Sequence, residues 1–567
     1  MKRISARQTI KRLHQIRNHF GPAASDEKSV LLERLDRLPV GSASDVKKMH
    51  LALCFIRAFP DSADNYRWAG ALLASFESVI SALSAAQRES LADSGILATD
   101  LHYNFSFDVA AWLARRYPGI AAIDWEALDE CGRLDELLEH LLQPAELDFF
   151  NGGQVTTQEW AAIATGNSSG TDIDWLFAQL GDRPNFSQFW TSLYNAADIP
   201  LRCHLGSESI SRTLNVFPVP ALHYRHEPMT SRVVGAKRQI LQPVRSMPRL
   251  SKSDGARLID VAMSSLAVRH RETNHFNYAN PDEVWLADVG KGVSIAVIGL
   301  LPEYRYPLEC TMGFLILSNG VPIGYGGSSI LFRQANTGIN IFEEYRGSEA
   351  AWLWVQVMRV FHSLSGCNRF IANPYQFGSE NSEALRSGAF WFYYRLGYRP
   401  VLANIRELAK NEYRKIQAKK GYRTSLAVLR ELATCDMHLT LAGARQAEFF
   451  DERWIENSAM LATRQLARSA FRSRKKAQVE IARELAVALG IDSTNDWTSD
   501  ERRWFHRLAP VVIATMPAAW PVRQRRSMIS LLRAKGGACE RDFVRRFAAH
   551  RQFFDALKSA CRPGMRT

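Results

Sequence analysis

Apolar positions recur every three or four residues through most of the first 235 residues, the spacing of helices that bury one face. Ile10, Leu13, Ile16 and Phe20 mark one such face at the start of the chain. Ser42-Ala-Ser-Asp-Val46 has the form of a helix start, and Met49, Leu53, Cys54 and Ile56 follow at core spacing until Pro60 stops the run. The same period predicts helices over 65–83, 107–117 and 125–142, with turns at Pro118-Gly119 and Asn151-Gly-Gly153. After Val233 the period shortens towards two. Strands are predicted over 239–244, 284–289, 293–301, 313–317, 322–332, 337–344 and 369–373, with a helix over 251–270 among them. Ser318-Asn319-Gly320, between two of these runs, signals a tight hairpin. The stretch 349–364 is apolar nearly all round and predicts a buried helix, and 382–396 predicts another, closed by Gly397. From Val401 the helical period returns, runs into a basic stretch ending near Lys420, and resumes over 470–489 and 527–533.

That order predicts an α+β chain in three parts: a mostly helical 1–235, a central mixed-sheet domain at 236–405, and a helical 406–567. The length of 567 residues suits three domains, and 14 Trp with 29 Phe supply large cores, which excludes a disordered chain. The longest apolar run, 508–520, is too short to cross a bilayer and contains Pro510 and Pro517. The basic opening reads as a first folded helix or as a targeting segment, and its amphipathic face favours the helix. Eight scattered cysteines with no Cys-x-x-Cys pair suit a reducing, cytoplasmic setting. Charge separates along the chain. Residues 401–567 hold 32 Lys and Arg against 17 Asp and Glu, whereas 1–400 hold 39 against 41. The basic surplus therefore lies in the last third, as a solvated helical surface or as a surface for an acidic partner.

Two stretches carry chemistry. Ile339-Asn-Ile-Phe-Glu-Glu-Tyr-Arg-Gly-Ser-Glu-Ala-Ala351 leads from a strand into the buried helix, and Ala389-Phe-Trp-Phe-Tyr-Tyr-Arg-Leu-Gly-Tyr398 ends the next one. With the strand order around them, they resemble the GNAT superfamily of N-acyltransferases over about 240–400. The first is similar to the family's Arg/Gln-x-x-Gly-x-Gly/Ala loop, which implies that Arg346, Gly347, Ser348, Glu349, Ala350 and Ala351 hold the phosphates of an acyl-coenzyme A. Unpaired N–H groups and the macrodipole make a helix N-terminus suited to that anion. The second implies that Tyr393 is the general acid protonating the leaving thiolate. Glu343 or Glu344, at the predicted strand end, would accept the proton of the attacking amine.

Glu349 stands where the family's loop has its middle glycine. A carboxylate 4 Å from a phosphate charge opposes it by about 4 kcal/mol at an effective dielectric of 20. Two donors therefore stay open: acyl-coenzyme A, and an acyl-phosphopantetheine arm with its single phosphate, brought by an acidic carrier protein that the basic C-terminal third would attract. The acceptor is a small-molecule or peptide amine, and no metal is implied. A second reading is a catalytically silent fold that binds a protein or, through Trp497, Trp504 and Phe505 among arginines, a nucleic acid. Three further patterns are weaker. Gly324-Tyr-Gly-Gly327 lies on a strand, where glycine marks close approach. His270 and His275 lack ligand spacing, and Cys203-His204 is a pair in sequence only.

Overall fold

The computed structural model describes residues 5–561 apart from 132, 154, 167–169, 182–186, 209, 231, 348, 446–448 and 469–472. It is an α+β chain whose packing forms two compact units. One comprises 1–228, 257–277 and 317–322, and the other 229–256, 278–316 and 323–567.

The first unit is helical around one core. Ser5 caps the Ala6–Ile16 helix, and Ile10, Leu13 and Ile16 are fully buried among Leu32, Leu53 and Leu73, so the opening segment is the folded helix its pattern predicted. Three short strands, unexpected from sequence, lie within it: β1 (Asp100–Tyr103), β2 (Ala121–Ile123) and β3 (Leu201–His204), with β3 central and antiparallel to both neighbours. Alternation along β3 buries Cys203 and exposes His204. Burial pushes the Cys203 thiol up to about 12, and His204 Nδ1 lies 2.8 Å from Asp100 Oδ1. These two are not a nucleophile and its base.

The second unit is built on a mixed eight-stranded sheet, ordered β10-β11-β9-β8-β7-β6-β5-β4. Its strands are β4 (Ala279–Gly290), β5 (Val293–Leu300), β6 (Cys310–Ser318), β7 (Val321–Leu331), β8 (Gln334–Ile341), β9 (Arg369–Ala372), β10 (Arg399–Pro400) and β11 (Met437–Thr440). Between β6 and β7 the tight turn forms as predicted, with Asn319 at φ 47° and Gly320 at φ 81°. The expected buried helix is Ala350–Ser365, whose Trp354, Val357 and Phe361 are wholly enclosed.

Four expectations are corrected. Residues 239–244 are no strand: Ala236–Ile240 is a short helix, because Ala236 and Ile240 are both buried at i, i+4 spacing. The helix predicted over 382–396 is two, Ser382–Ser387 and Ala389–Leu396, broken where Gly388 takes φ 68°. The strand predicted to reach 344 ends at Ile341, and Glu343–Tyr345 is a 3-10 turn. Finally, the sheet continues past β9. The Ala403–Ala418 helix does follow β10, but β11 then returns to pair antiparallel with both β9 and β10.

Candidate functional site

Among the described strand pairs, only β8 and β9 are parallel, and they are joined through the Ala350–Ser365 helix. Their pairing covers Gln334 to Asn336 against Arg369 to Ile371. Beyond Asn336, β8 runs on to Ile341, while β9 ends at Ala372 and turns into the 3-10 segment Pro374–Phe377. The two strands thus part at their carboxyl ends, where crossover connections leave a crevice in α/β sheets.

Gln376 occupies the space beside β8. A Cβ on Gly338 would lie 2.5 Å from Gln376 Nε2, so the amide end of Gln376 occupies space that a side chain at 338 would take. Tyr393 comes from the other side, Oη to Gln376 Oε1 3.5 Å, boxed by the rings of Trp354, Phe377 and Tyr398. Burial raises the Tyr393 hydroxyl well above its usual range, which holds it in the O–H form. Asn373, just after β9, has a buried Oδ1 with no hydrogen-bond partner among the described residues.

The predicted phosphate loop follows β8. Arg346 donates to Glu383 Oε1 at 2.9 Å and to the Ile341 carbonyl, and its side chain is half exposed. An exposed ion pair is worth under about 1 kcal/mol, so a phosphate can take this guanidinium from Glu383. Gly347 has φ 79° and open space around it. Ser348 lies outside the described residues. Ala350 and Ala351 form the first turn of the helix, half-buried, and their N–H groups precede the first helical bond, from Leu353 N–H to the Glu349 carbonyl.

Glu349 is the N-cap, but its side chain does not cap the helix. It is 1% exposed, accepts the Thr230 N–H at 2.8 Å, and lies 3.5 Å from Lys291 Nζ. Lys291 also donates to Thr230 Oγ1 and stands over the Trp352 ring. The carboxylate expected to oppose a phosphate is therefore turned towards a cation and a backbone donor.

Glu343 and Glu344 do not share a strand, so alternation does not sort them. Glu343 is exposed and Glu344 buried on the 3-10 turn. Sequence reasoning missed Gln376 and Asn373. The one available signal was Gly338, a glycine inside a strand, which marks close approach. The more prominent Gly324-Tyr-Gly-Gly327 has a structural cause: a Cβ on Gly326 would collide with the Phe314 ring and the Gly338 carbonyl.

Comparison with protein-family models, curated proteins and solved structures finds no match to this chain. Among the described residues no group of three or more His, Cys, Asp and Glu is arranged to hold a metal ion, and no helix is long and apolar enough to cross a membrane. In the basic C-terminal third, Trp497, Trp504 and Phe505 are buried. Arg533 stands over Trp497 and Arg507 over Trp504, so these rings face the chain's own arginines.

Proposed function

We propose that the chain is an N-acyltransferase that moves an acyl group from a thioester donor, acyl-coenzyme A or an acylated carrier protein, to an amine. The observation that carries this reading is the parting of β8 and β9 at their carboxyl ends, with a helix N-terminus following one strand and the buried Tyr393 hydroxyl against Gln376. An extended thioester arm has beside it the part of β8 beyond Asn336 that β9 leaves unpaired. Its phosphate has Arg346 and the first turn of the Ala350–Ser365 helix. The retracted Glu349 carboxylate removes the main obstacle to a phosphate there.

In the reaction the amine nitrogen attacks the thioester carbonyl carbon, and the C–S bond of the tetrahedral adduct breaks. The leaving thiolate takes the Tyr393 proton, and the proton of the amine passes to Glu344 or, through water, to the exposed Glu343. The test is thiol release by the full chain from a panel of acyl-coenzyme A and acyl-carrier donors, with and without amines. Amine-dependent release supports the reading, and its absence with every donor and amine removes it.

One observation favours the silent binding module instead: Gln376 already fills the space at Gly338. Gln376→Ala separates the two. A module stays inactive when that space is opened, whereas an enzyme binds its donor more tightly or turns over faster.

A further inference from the structure

A cavity of about 630 Å³ lies over the face of the sheet formed by β9, β10 and β11, walled by the segments 401–406, 434–436 and 449–453. Ile371, Pro400, Leu402 and Phe449 make an apolar lining. Six charged side chains also line it, and their engagements differ. Arg453 is committed to Asp451, Nε to Oδ1 2.9 Å. Arg399 donates to the carbonyls of Tyr394 and Tyr398 and stands over the Tyr394 ring, while Arg406 donates to the carbonyls of Pro400 and Val401.

Asp436 and Glu452 are different. Among the described residues neither carboxylate is ion-paired, and Glu452 accepts only from the Asn336 amide, at 3.2 and 3.3 Å. Burial pushes Glu452 up to about 7, and Asp436, Glu309 and Asp451 add to the rise. Burial and Asp451 raise Asp436 as well, against Arg453. His438, which also lines the cavity, supplies no counter-charge, because burial and Arg369 hold it down to about 4 and hence neutral. Among the described residues the cavity thus presents two carboxylates outside any ion pair beside an apolar wall. Arg453 is held by Asp451 and acts on Asp436 only at longer range, and Arg399 and Arg406 are held by backbone carbonyls.

We propose that this cavity binds a small organic cation, a primary ammonium on an apolar body, with Asp436 and Glu452 as its counter-ions and Phe449, Ile371 and Leu402 against the body. An organic cation fits better than a metal ion, since no metal-holding group occurs among the described residues and half of the wall is apolar. The inference goes beyond the acyltransferase reading and does not rest on it, since binding needs no acyl donor.

The experiment is calorimetric titration of the full chain with phenethylamine, 2-phenylethanol and 3-phenylpropionate, which share one body and differ in charge. Phenethylamine is expected to bind at least about tenfold more tightly than the other two, because only it pairs with the carboxylates. Glu452→Gln and Asp436→Asn, which keep size and shape, are each expected to weaken it about five- to thirtyfold, with circular dichroism unchanged. Leu402→Trp, at the half-exposed rim, is expected to abolish binding by filling the cavity without touching either carboxylate. Equal binding of all three compounds, amine binding that survives both carboxylate substitutions, or no saturable heat up to about 10 mM would overturn the proposal. A thioester assay that fails while amine binding persists would remove the acyltransferase reading and leave this one standing.

Discussion

Arg305 Nη2 lies 3.3 Å from Glu283 Oε2, and both side chains are fully buried. Arg305 also gives Nη1 to the carbonyls of Lys535 and Gly537, and Glu283 Oε1 accepts the N–H of Arg541. Lys535 is paired in turn with Glu540 and donates to the Glu309 carbonyl. Two cations and two anions therefore sit together fully buried, tying β4 and the segment after β5 to the helices Val522–Lys535 and Glu540–Ala549. Glu283→Gln is expected to lower stability by about 1–3 kcal/mol, because it removes one of the two carboxylates that face the buried guanidinium and leaves only Glu540 Oε2, 3.9 Å from Arg305 Nε. Urea unfolding checks this. A loss under 1 kcal/mol would mean that water reaches the cluster.

The same cluster bears on how the chain divides. A fragment covering 236–405 lacks β11 and the two carbonyls that hold Arg305. It is expected to be insoluble or expanded, while 229–561 is expected to keep its sheet, although it carries 257–277 and 317–322 of the first unit. Hydrogen exchange on the two fragments distinguishes them, and protected amides in the shorter one would show that the three-part division seen in the sequence is real.

Tyr393→Phe is expected to cut amine-dependent thiol release by roughly 10²–10⁴-fold, the usual contribution of a positioned acid. Stability should change by less than about 1 kcal/mol, since among the described residues the hydroxyl makes one long contact, to Gln376. Full activity in the variant would remove Tyr393 from the chemistry.

Glu349→Gly puts at this position the glycine of the loop that the sequence resembles, yet it is expected to alter coenzyme A affinity little, because the carboxylate already faces Thr230 and Lys291. Its main effect should be a stability loss of about 1–3 kcal/mol, from a buried N–H left without its acceptor and from added backbone freedom. A large gain in coenzyme A binding would instead show that the carboxylate guards the helix N-terminus, and would favour the carrier-protein donor.

Glu452 sets a pH dependence. Its folded-state pKa of about 7 stands above the ordinary 4.5, so the folded chain holds this proton more tightly than the unfolded one. Between those values stability falls as pH rises, and the penalty is complete above 7. Glu452→Gln should therefore gain stability relative to wild type across that window, by on the order of 1–3 kcal/mol at pH 8. Paired melts at pH 5 and pH 8 test it, and parallel shifts would show that Glu452 titrates normally.

Where local pattern and tertiary need agreed, the sequence was a sufficient guide. Ile10, Leu13 and Ile16, the all-apolar 349–364 stretch and the Asn319-Gly320 turn each formed as their spacing required, because periodicity and turn chemistry act over a few residues. The candidate site was proposed from local pattern too, since Arg346, Gly347 and Tyr393 belong to contiguous motifs. Tertiary structure decided the remainder. β11 has four residues, too few for a period to declare itself, and becomes a strand only because the edge of β9 is there to pair with it. Glu349 was read as an obstacle in the loop, and its direction was set by Lys291 and Thr230, some 60 and 120 residues away in the chain. The amide of Gln376 lies in the space that Gly338 leaves open, and Asp436 and Glu452 share a cavity only because the sheet folds their segments together. Such relationships depend on which distant groups exclude water from one another, and no local period records that.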